Sequence, residues 1–220
     1  RQSPERAAGD LATRHGAAVR TVWQHSVRGF SAHATEAQAR AIAADPQVSY
    51  VEQNSRVQLD DTQPVHWGPG NLDHIDQRTG VFDGWYSYLG SAGRNVRAYV
   101  IDSGIRVSHG EFGGRAWWGV NTVDNNNTDC NGHGTHVAGI IGGSTWGVAK
   151  SVAPVAVKVV DCAGQGTVES VITGVDWVTW AAAKPAVANM SLGYRATEPG
   201  VSALDDAVRA SINSGITYTV

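Results

Sequence analysis

From residue 96 onward the sequence alternates between short apolar runs and helical patterns, and this alternation constrains the fold more than any other feature. The apolar runs predict buried strands over 96–101, 152–160, 186–190 and 216–220. The segments between them predict helices over 133–141, 168–183 and 202–212. Continuous apolar strands separated by helices are typical of a parallel sheet that is covered on both faces. We therefore predict an α/β fold with its active site at the carboxyl ends of the strands.

The first 60 residues follow a different pattern. It predicts a helix over 5–15, strands over 19–27 and 29–34, an alanine-rich helix after residue 35, and a strand over 48–52. Thr35 and Gln38 have the spacing of a capping box, which favours the start of the second helix there. This order is that of a small ferredoxin-like α+β unit without its first strand, which we expect before Arg1. Residues 54–71 are polar and contain prolines, so we predict an exposed connector and place the two units at 1–60 and 61–220.

Composition and charge argue against two classes of partner. The chain has 220 residues, of which 42% are hydrophobic, so it can bury a sizeable core. Its net charge of -3 offers no basic surface for a nucleic acid. No apolar run reaches the roughly 18 residues that a membrane-spanning helix needs. We therefore expect neither a nucleic-acid partner nor a membrane partner.

Two residues stand where a catalytic pair would. Asp102 directly follows the predicted strand over 96–101, and His133 opens a predicted helix with a glycine on each side. An aspartate followed by a histidine is one of the chain orders in which a Ser-His-Asp triad is assembled. A buried aspartate that accepts a hydrogen bond from the imidazole fixes its tautomer, so that the other ring nitrogen can take a proton. We predict that Asp102 orients His133 and that His133 is a general base.

Other chemistries fit this pair less well. The D-S-G turn at Asp102 also occurs in aspartic proteases, but these need two such lobes and the sequence has one. His133 and His136 could ligate zinc, yet the zinc motif H-E-x-x-H spaces its histidines four apart and has a glutamate between them. We therefore interpret His136 as a structural residue packed beneath the site. No matching serine motif follows His133, so we expect the nucleophile beyond Val220.

The two cysteines, Cys130 and Cys162, allow two interpretations. They could form one disulfide in an oxidising compartment, or they could be two buried thiols in a cytosolic protein. A bridge that closes this loop would contribute about 3.5–4 kcal/mol in the chain-entropy model. The bridge is favoured because Cys130 lies just before His133 and Cys162 follows a predicted strand, which brings both to one edge of the sheet.

Four sequence segments together carry a family resemblance. They are YVIDSGIRVSHGEFGGRA, DCNGHGTHVAGIIGG, WGVAKSVAPVAVKVVDCAG and PAVANMSLG. They resemble subtilisin-like serine proteases of the peptidase S8 family, most closely the proteinase K and aqualysin branch. The earlier segment ATEAQARAIAADPQVSYVEQ resembles the inhibitor I9-type propeptide that precedes such enzymes and assists their folding. The resemblance implies an incomplete three-layer parallel sheet after the propeptide, with the boundary near residues 59–62.

The resemblance also implies roles for individual residues. It makes Asp102 the orienting acid and His133 the general base. The segments expected to clamp an extended substrate peptide are Gly164, Gln165 and Gly166 on one side, and Ser191, Leu192 and Gly193 on the other. Cys130 and Cys162 coincide with a disulfide of the aqualysin-like members. The residues of a structural calcium site would be Asp73, Asp76, Gln77 and Asp83, whose oxygen atoms suit Ca²⁺. The alternative for this last segment is a solvated acidic turn.

The implied activity is that of a secreted, monomeric serine endopeptidase of broad specificity. Polypeptides would be its substrates, and its own propeptide would be an intramolecular inhibitor. The oxyanion asparagine and the nucleophilic serine are expected beyond Val220, so we predict that the 220-residue chain alone is inactive. A different reading is a non-catalytic truncated module, or a propeptide-type protease inhibitor and folding assistant.

Two features near the expected cleft depart from the family pattern or resemble its missing parts. Tyr194 replaces a family glycine, and its bulk either narrows the cleft or points to solvent. Asn189 and Ser191 resemble the missing oxyanion and nucleophile residues, but they lie in a substrate-binding segment. We assign neither of these two residues a catalytic role.

Overall fold

The computed structural model describes residues 3–59, 70–76, 78, 85–193 and 202–220. In chain order the elements are α1 (Pro4–His15), β1 (Ala18–Trp23), β2 (Gly29–His33), α2 (Glu36–Ala43), β3 (Arg56–Leu59), α3 (Gly70–Ile75), β4 (Arg97–Asp102), β5 (Trp117–Asn121), α4 (His133–Gly142), β6 (Ala153–Lys158), β7 (Gln165–Thr167), α5 (Val168–Ala181), β8 (Ala186–Asn189), β9 (Leu192–Gly193), α6 (Ser202–Asn213) and β10 (Thr217–Thr219). Among the described residues, no helix has both the length and the apolar character needed to cross a membrane.

The central sheet has five parallel strands in the order β10-β8-β4-β6-β5. Its middle strand, β4, is buried from residue 98 to residue 102, as a strand covered on both faces must be. Tyr99 and Ile101 pack into one core cluster with residues of α5 and α6. Val100 points the other way and packs into a second cluster with Ala138 of α4. These two clusters confirm the predicted α/β sheet with helices on both faces.

The N-terminal unit, residues 3–55, consists of α1, the antiparallel hairpin β1–β2 and α2. Its predicted helix boundaries are confirmed: Gly16 ends α1 with a φ of 72°, and Thr35 and Gln38 form the reciprocal capping box of α2. The predicted strand over 48–52 is wrong. Those residues follow a turn and join no sheet, whereas the next strand, β3, begins at Arg56 and pairs outside the hairpin.

The N-terminal unit docks on α5 through side chains that recur along one face of that helix. Glu169 Oε1 accepts hydrogen bonds from the hydroxyls of Thr21 at 3.0 Å and Ser31 at 2.7 Å. One turn further, Trp23 Nε1 donates to Thr173 Oγ1 at 3.0 Å. Because residues four apart lie on the same helix face, these bonds hold the hairpin flat against α5.

Two further acidic side chains contribute to this interface: Asp176 binds the turn after β1, and Glu52 binds the first turn of α6. Asp176 Oδ1 accepts from the backbone N–H groups of His25 at 2.8 Å and Ser26 at 2.5 Å. Glu52 caps the first turn of α6, where Ala203 N donates to its Oε2 at 2.9 Å. A carboxylate at a helix N-terminus satisfies N–H groups that have no partner within the helix. The chain then continues from the docked unit into β3, which begins at Arg56.

Candidate active site

Asp102 and His133 meet at the carboxyl end of the central strand. Asp102 is the last residue of β4 and is fully buried, and His133 is the first residue of α4 with a side chain that is 10% exposed. His133 Nδ1 lies 2.9 Å from both Asp102 Oδ1 and Asp102 Oδ2. A carboxylate held this close to one ring nitrogen fixes the tautomer and the ring plane, so the opposite nitrogen is the one available to exchange a proton.

Two local features bring the helix start this close to the strand end. Ser103 N donates to Asp102 Oδ1 at 2.7 Å, which orients the carboxylate. Gly134 packs so tightly that a Cβ at this position would overlap the Gly104 carbonyl oxygen and lie 3.1 Å from Asp102 Oδ1. Only a glycine permits that approach of backbone to backbone. The glycine that follows His133 in the sequence therefore sets the distance between helix and strand.

The first N–H groups of α4 are bound by side chains that lie outside the helix. The backbone N–H groups of Gly132 and Thr135 donate to the Asp129 carboxylate at 2.8 Å each. The N–H of His133 donates to Asn131 Oδ1 at 3.2 Å. The N–H of Gly134 donates to Ser103 Oγ at 3.0 Å. Sequence reasoning missed Asp129. Its position shortly before a glycine-rich helix start was the one available clue, because aspartates are favoured as capping residues.

The predicted disulfide between Cys130 and Cys162 is present, with a Cα–Cα distance of 5.1 Å. The neighbouring Asn131 adds a second connection, since its Nδ2 donates to the Cys162 carbonyl at 3.1 Å. The two bonds join the loop before His133 to the loop that leads into β7. The position of the histidine is thereby linked to one edge of a second, smaller sheet.

That smaller sheet has three strands in the order β7-β3-β9, and all pairings are antiparallel. The two outer strands are the segments that we expected to clamp a substrate peptide. Val57 is the register partner of Gly166, and Gln58 is the register partner of both Gln165 and Gly193. Gly164 lies in the turn before β7 with a φ of 74°, and Ser191 directly precedes β9. An extended segment of the chain itself thus lies between the two predicted peptide-binding edges.

An ion pair between a buried lysine and a partly exposed aspartate supports the sheet beside the candidate pair. Lys158, the last residue of β6 and the register partner of Asp102, is fully buried. Its Nζ donates to Asp124 Oδ2 at 2.8 Å and to the Asn126 carbonyl at 3.1 Å. The hydrogen bond from Lys158, followed by one from Asn121, lowers the pKa of Asp124 to about 2. These contacts fix the loop that leads towards Asp129.

Other predicted site residues have different outcomes. His136 is exposed, so the expectation that it packs beneath the site is wrong. Asn189 Nδ2 donates to Ser191 Oγ at 2.9 Å, which ties these two residues to each other at the start of β9. Tyr194 lies outside the described residues.

Of the four predicted calcium ligands, only the side chain of Asp76 is described. Its Oδ2 accepts a hydrogen bond from Ser87 N. Asp73 belongs to α3, and Gln77 and Asp83 lie outside the described residues. Within the part of the chain that the structure describes, no group of three or more His, Cys, Asp or Glu side chains could hold a metal ion. The predicted calcium site therefore stays a prediction.

Comparison with known proteins gives two family matches. The model of the peptidase S8 or subtilase family matches residues 93–220, which include Asp102 and His133. The model of peptidase inhibitor I9 matches residues 2–60.

Individual relatives agree with these matches. The extracellular serine proteinase of Thermus sp. (strain Rt41A) is 46% identical over 208 residues, covering 93% of this chain and 49% of that protein. Alkaline serine exoprotease A of Vibrio alginolyticus is 46% identical over 209 residues, covering 91% of this chain and 38% of that protein. A solved structure, that of a cold adapted subtilisin-like serine proteinase, is 50% identical with a TM-score of 0.62 and covers 67% of this chain and 53% of that one. The chain therefore spans about half the length, or less, of the curated relatives named here.

Proposed function

The chain belongs to the subtilase family, and on that premise we propose that it carries two members of the Ser-His-Asp triad of a secreted serine endopeptidase. Asp102 is the orienting acid and His133 is the general base. The observation that carries this proposal is the contact of His133 Nδ1 with both oxygens of the buried Asp102 carboxylate at 2.9 Å. Secretion is supported by the disulfide and by the name of the Thermus relative, an extracellular proteinase.

In the proposed reaction, His133 Nδ1–H donates to Asp102, and Nε2 accepts the proton of a serine hydroxyl as its oxygen attacks the substrate carbonyl. Asp102 remains ionised and stabilises the imidazolium that forms. The serine and the donors for the oxyanion would come from residues of the whole protein beyond Val220. The 220-residue chain by itself therefore hydrolyses no peptide bond above background.

We further propose that polypeptide substrates bind where β3 lies, between β7 and β9. Antiparallel backbone pairing accepts many sequences, because it uses N–H and C=O groups that every residue except proline has. The pairing of Val57 and Gln58 with β7, and of Gln58 and Leu59 with β9, supports this placement. In the same arrangement residues 1–60 act as a propeptide whose final strand blocks the cleft, and the mature part begins near residue 61.

A structural calcium site at Asp73, Asp76, Gln77 and Asp83 is part of the proposal. Three carboxylates and one amide at short spacing are the hard oxygen donors that Ca²⁺ prefers. We expect calorimetric titration of the chain with calcium chloride to give binding that the Asp76→Asn variant weakens. Equal heats for both proteins would identify the segment as a solvated acidic turn.

The triad proposal is tested with the longer protein that includes the sequence after Val220. Hydrolysis of a chromogenic peptide is expected, and Asp102→Asn should reduce kcat on the order of 10⁴-fold because the imidazole loses its fixed tautomer. His133→Ala should abolish turnover above the background of the remaining site. Turnover by the 220-residue chain itself that is abolished by His133→Ala would overturn the predicted inactivity of that chain.

A second candidate function is that of a protease inhibitor without catalysis, which the strand β3 between two peptide-binding edges would favour. Peptide cleavage by the longer protein distinguishes the two functions. Purified longer protein that cuts no peptide, before or after removal of the N-terminal unit, would favour the inhibitor.

A further inference from the structure

A single carboxylate, that of Asp129, binds both segments that adjoin the candidate catalytic pair. Its Oδ1 accepts from Ser103 Oγ at 2.8 Å and from Gly132 N at 2.8 Å. Its Oδ2 accepts from Thr135 N at 2.8 Å and from the Thr135 hydroxyl. Ser103 follows Asp102 directly, and Gly132 precedes His133 directly. One side chain thus holds a neighbour of each member of the pair.

We propose that Asp129 is a positioning residue for the Asp102–His133 pair, which it holds in register through the first turn of α4. This proposal rests on the proposed function of that pair. The sequence explains why a residue outside the helix binds the N–H groups of its first turn. The N-cap residue Gly132 has a φ of 98° and makes no side-chain cap. The N–H groups of the first turn must therefore find acceptors elsewhere, and the Asp129 carboxylate accepts two of them.

The carboxylate also joins the loop after β4 to the helix. Ser103 Oγ donates to Asp129 and accepts from Gly134 N at 3.0 Å, so one hydroxyl connects the strand end to the helix start. Thr135 Oγ1 donates to Asp129 and accepts from Arg106 N at 2.8 Å. Each hydroxyl is both a donor and an acceptor, and such chains of hydrogen bonds strengthen one another. A shift of the Asp129 carboxylate would move the two segments apart.

An asparagine at position 129 would have nearly the same shape but could not replace these bonds. One of its two terminal groups is an NH₂ donor, which would face donors on whichever side it lies. Two of the four donors, one N–H group at the start of α4 and one hydroxyl, would then have a donor opposite them. We expect the imidazole to lose its fixed position against Asp102 while the sheet stays folded.

Proton NMR of the 220-residue chain tests this directly, since the hydrogen-bonded Nδ1 proton of His133 should resonate far downfield. We expect Asp129→Asn to lose that resonance at a pH where the unchanged chain retains it. The matched control is Asp205→Asn, which removes the same charge from the first turn of another helix and should keep the resonance. An Asp129→Asn resonance equal to that of the unchanged chain in position and intensity would overturn the proposal.

Two further variants separate positioning from folding. If circular dichroism finds Asp129→Asn unfolded, Thr135→Val and Thr135→Ser decide, because both are close in size to threonine and only the serine keeps the hydroxyl. Loss of the resonance in the valine variant with retention in the serine variant supports the proposal, and retention in both overturns it. Asp102→Asn addresses the proposed function separately. A resonance that survives Asp102→Asn would contradict the contact on which the pair itself depends, whatever the Asp129 variants do.

Discussion

Gly134 and Gly139 lie in the same helix but differ in how closely other atoms approach them. A Cβ at Gly134 would overlap the Gly104 carbonyl oxygen, whereas a Cβ at Gly139 would meet nothing within 4 Å. Overlap with backbone cannot be relieved by rotating a side chain, so α4 would have to move away from the end of β4. At the scale of single residues, the absence of a side chain at Gly134 is therefore what allows the start of α4 to lie against the end of β4.

This contrast gives a paired prediction. Gly134→Ala should lower the free energy of unfolding by about 1–3 kcal/mol, as overpacking of a close contact does. Gly139→Ala should raise it by up to about 1 kcal/mol, because alanine is the better helix former. Urea unfolding of both variants measures the difference. An equal stabilisation by the two substitutions would mean that α4 does not need the close approach at Gly134.

At the scale of elements, β6 ends in a charged residue that the sheet buries completely. The Lys158–Asp124 pair makes the stability of this strand end depend on pH. The pKa of Asp124 is lowered from 3.8 to about 2 by the hydrogen bond from Lys158, so the carboxylate stabilises the fold above pH 3.8. That contribution is lost as the pH falls through about 2.

Asp124→Asn should therefore destabilise the chain at neutral pH, by about 1 kcal/mol because the carboxylate is partly exposed. The difference from the unchanged chain should shrink between pH 4 and pH 2. Lys158→Met is the control, since it removes the buried charge and the largest cause of the low pKa of Asp124, and it should reduce this pH dependence. Chemical unfolding at several pH values gives both quantities. A difference that stays constant over that range would contradict the assignment of the low pKa to Asp124.

The disulfide joins two loops that belong to different elements of the site. Replacing Cys130 and Cys162 together by alanine should lower the free energy of unfolding by about 3.5–4 kcal/mol, as expected for a closed loop of this length. Unfolding measured with and without a thiol reductant provides the check. The reductant should destabilise the unchanged chain and leave the double variant unaffected, and an equal effect on both proteins would contradict the role of the bridge.

The elements also indicate what the sequence can predict. Four of the five central strands and the Asp102–His133 contact could be predicted, because apolar runs and glycine spacing are local patterns, whereas β5 was not predicted. The strand over 48–52 was wrong because its composition suits a strand but the fold offers it no partner. β3 was missed because it lies within residues 54–71, whose polar residues and prolines predict a connector, and because its pairing partners lie more than a hundred residues away. Asp129 was missed because its four donors meet only after the helix has packed on the strand.

At the scale of the whole molecule, the structure joins two units through acidic side chains that accept backbone and hydroxyl hydrogens. Asp176 on α5 holds the turn between β1 and β2, and Glu52 of the N-terminal unit caps α6. Between these two contacts β3 enters the smaller sheet. Because the N-terminal unit contributes few large apolar side chains to the main core, with Trp23 and Val27 among them, we infer that these hydrogen bonds carry much of the docking.

Asp176→Ala should release the hairpin from α5 without unfolding the central sheet, because Asp176 Oδ1 accepts from His25 N, Ser26 N and Ser26 Oγ, and alanine accepts none of these bonds. Hydrogen exchange followed by mass spectrometry measures the effect. Peptides that cover 18–33 should exchange faster, and, since β3 follows the docked unit, so should those that cover 56–59. Peptides from β4 and β6 should be unchanged. Asp205→Ala, which replaces an exposed residue of α6, is the control and should change none of them. Faster exchange that is uniform over the whole chain would mean that Asp176 supports the global fold. Unchanged exchange over 18–33 would mean that the apolar contacts alone hold the two units together.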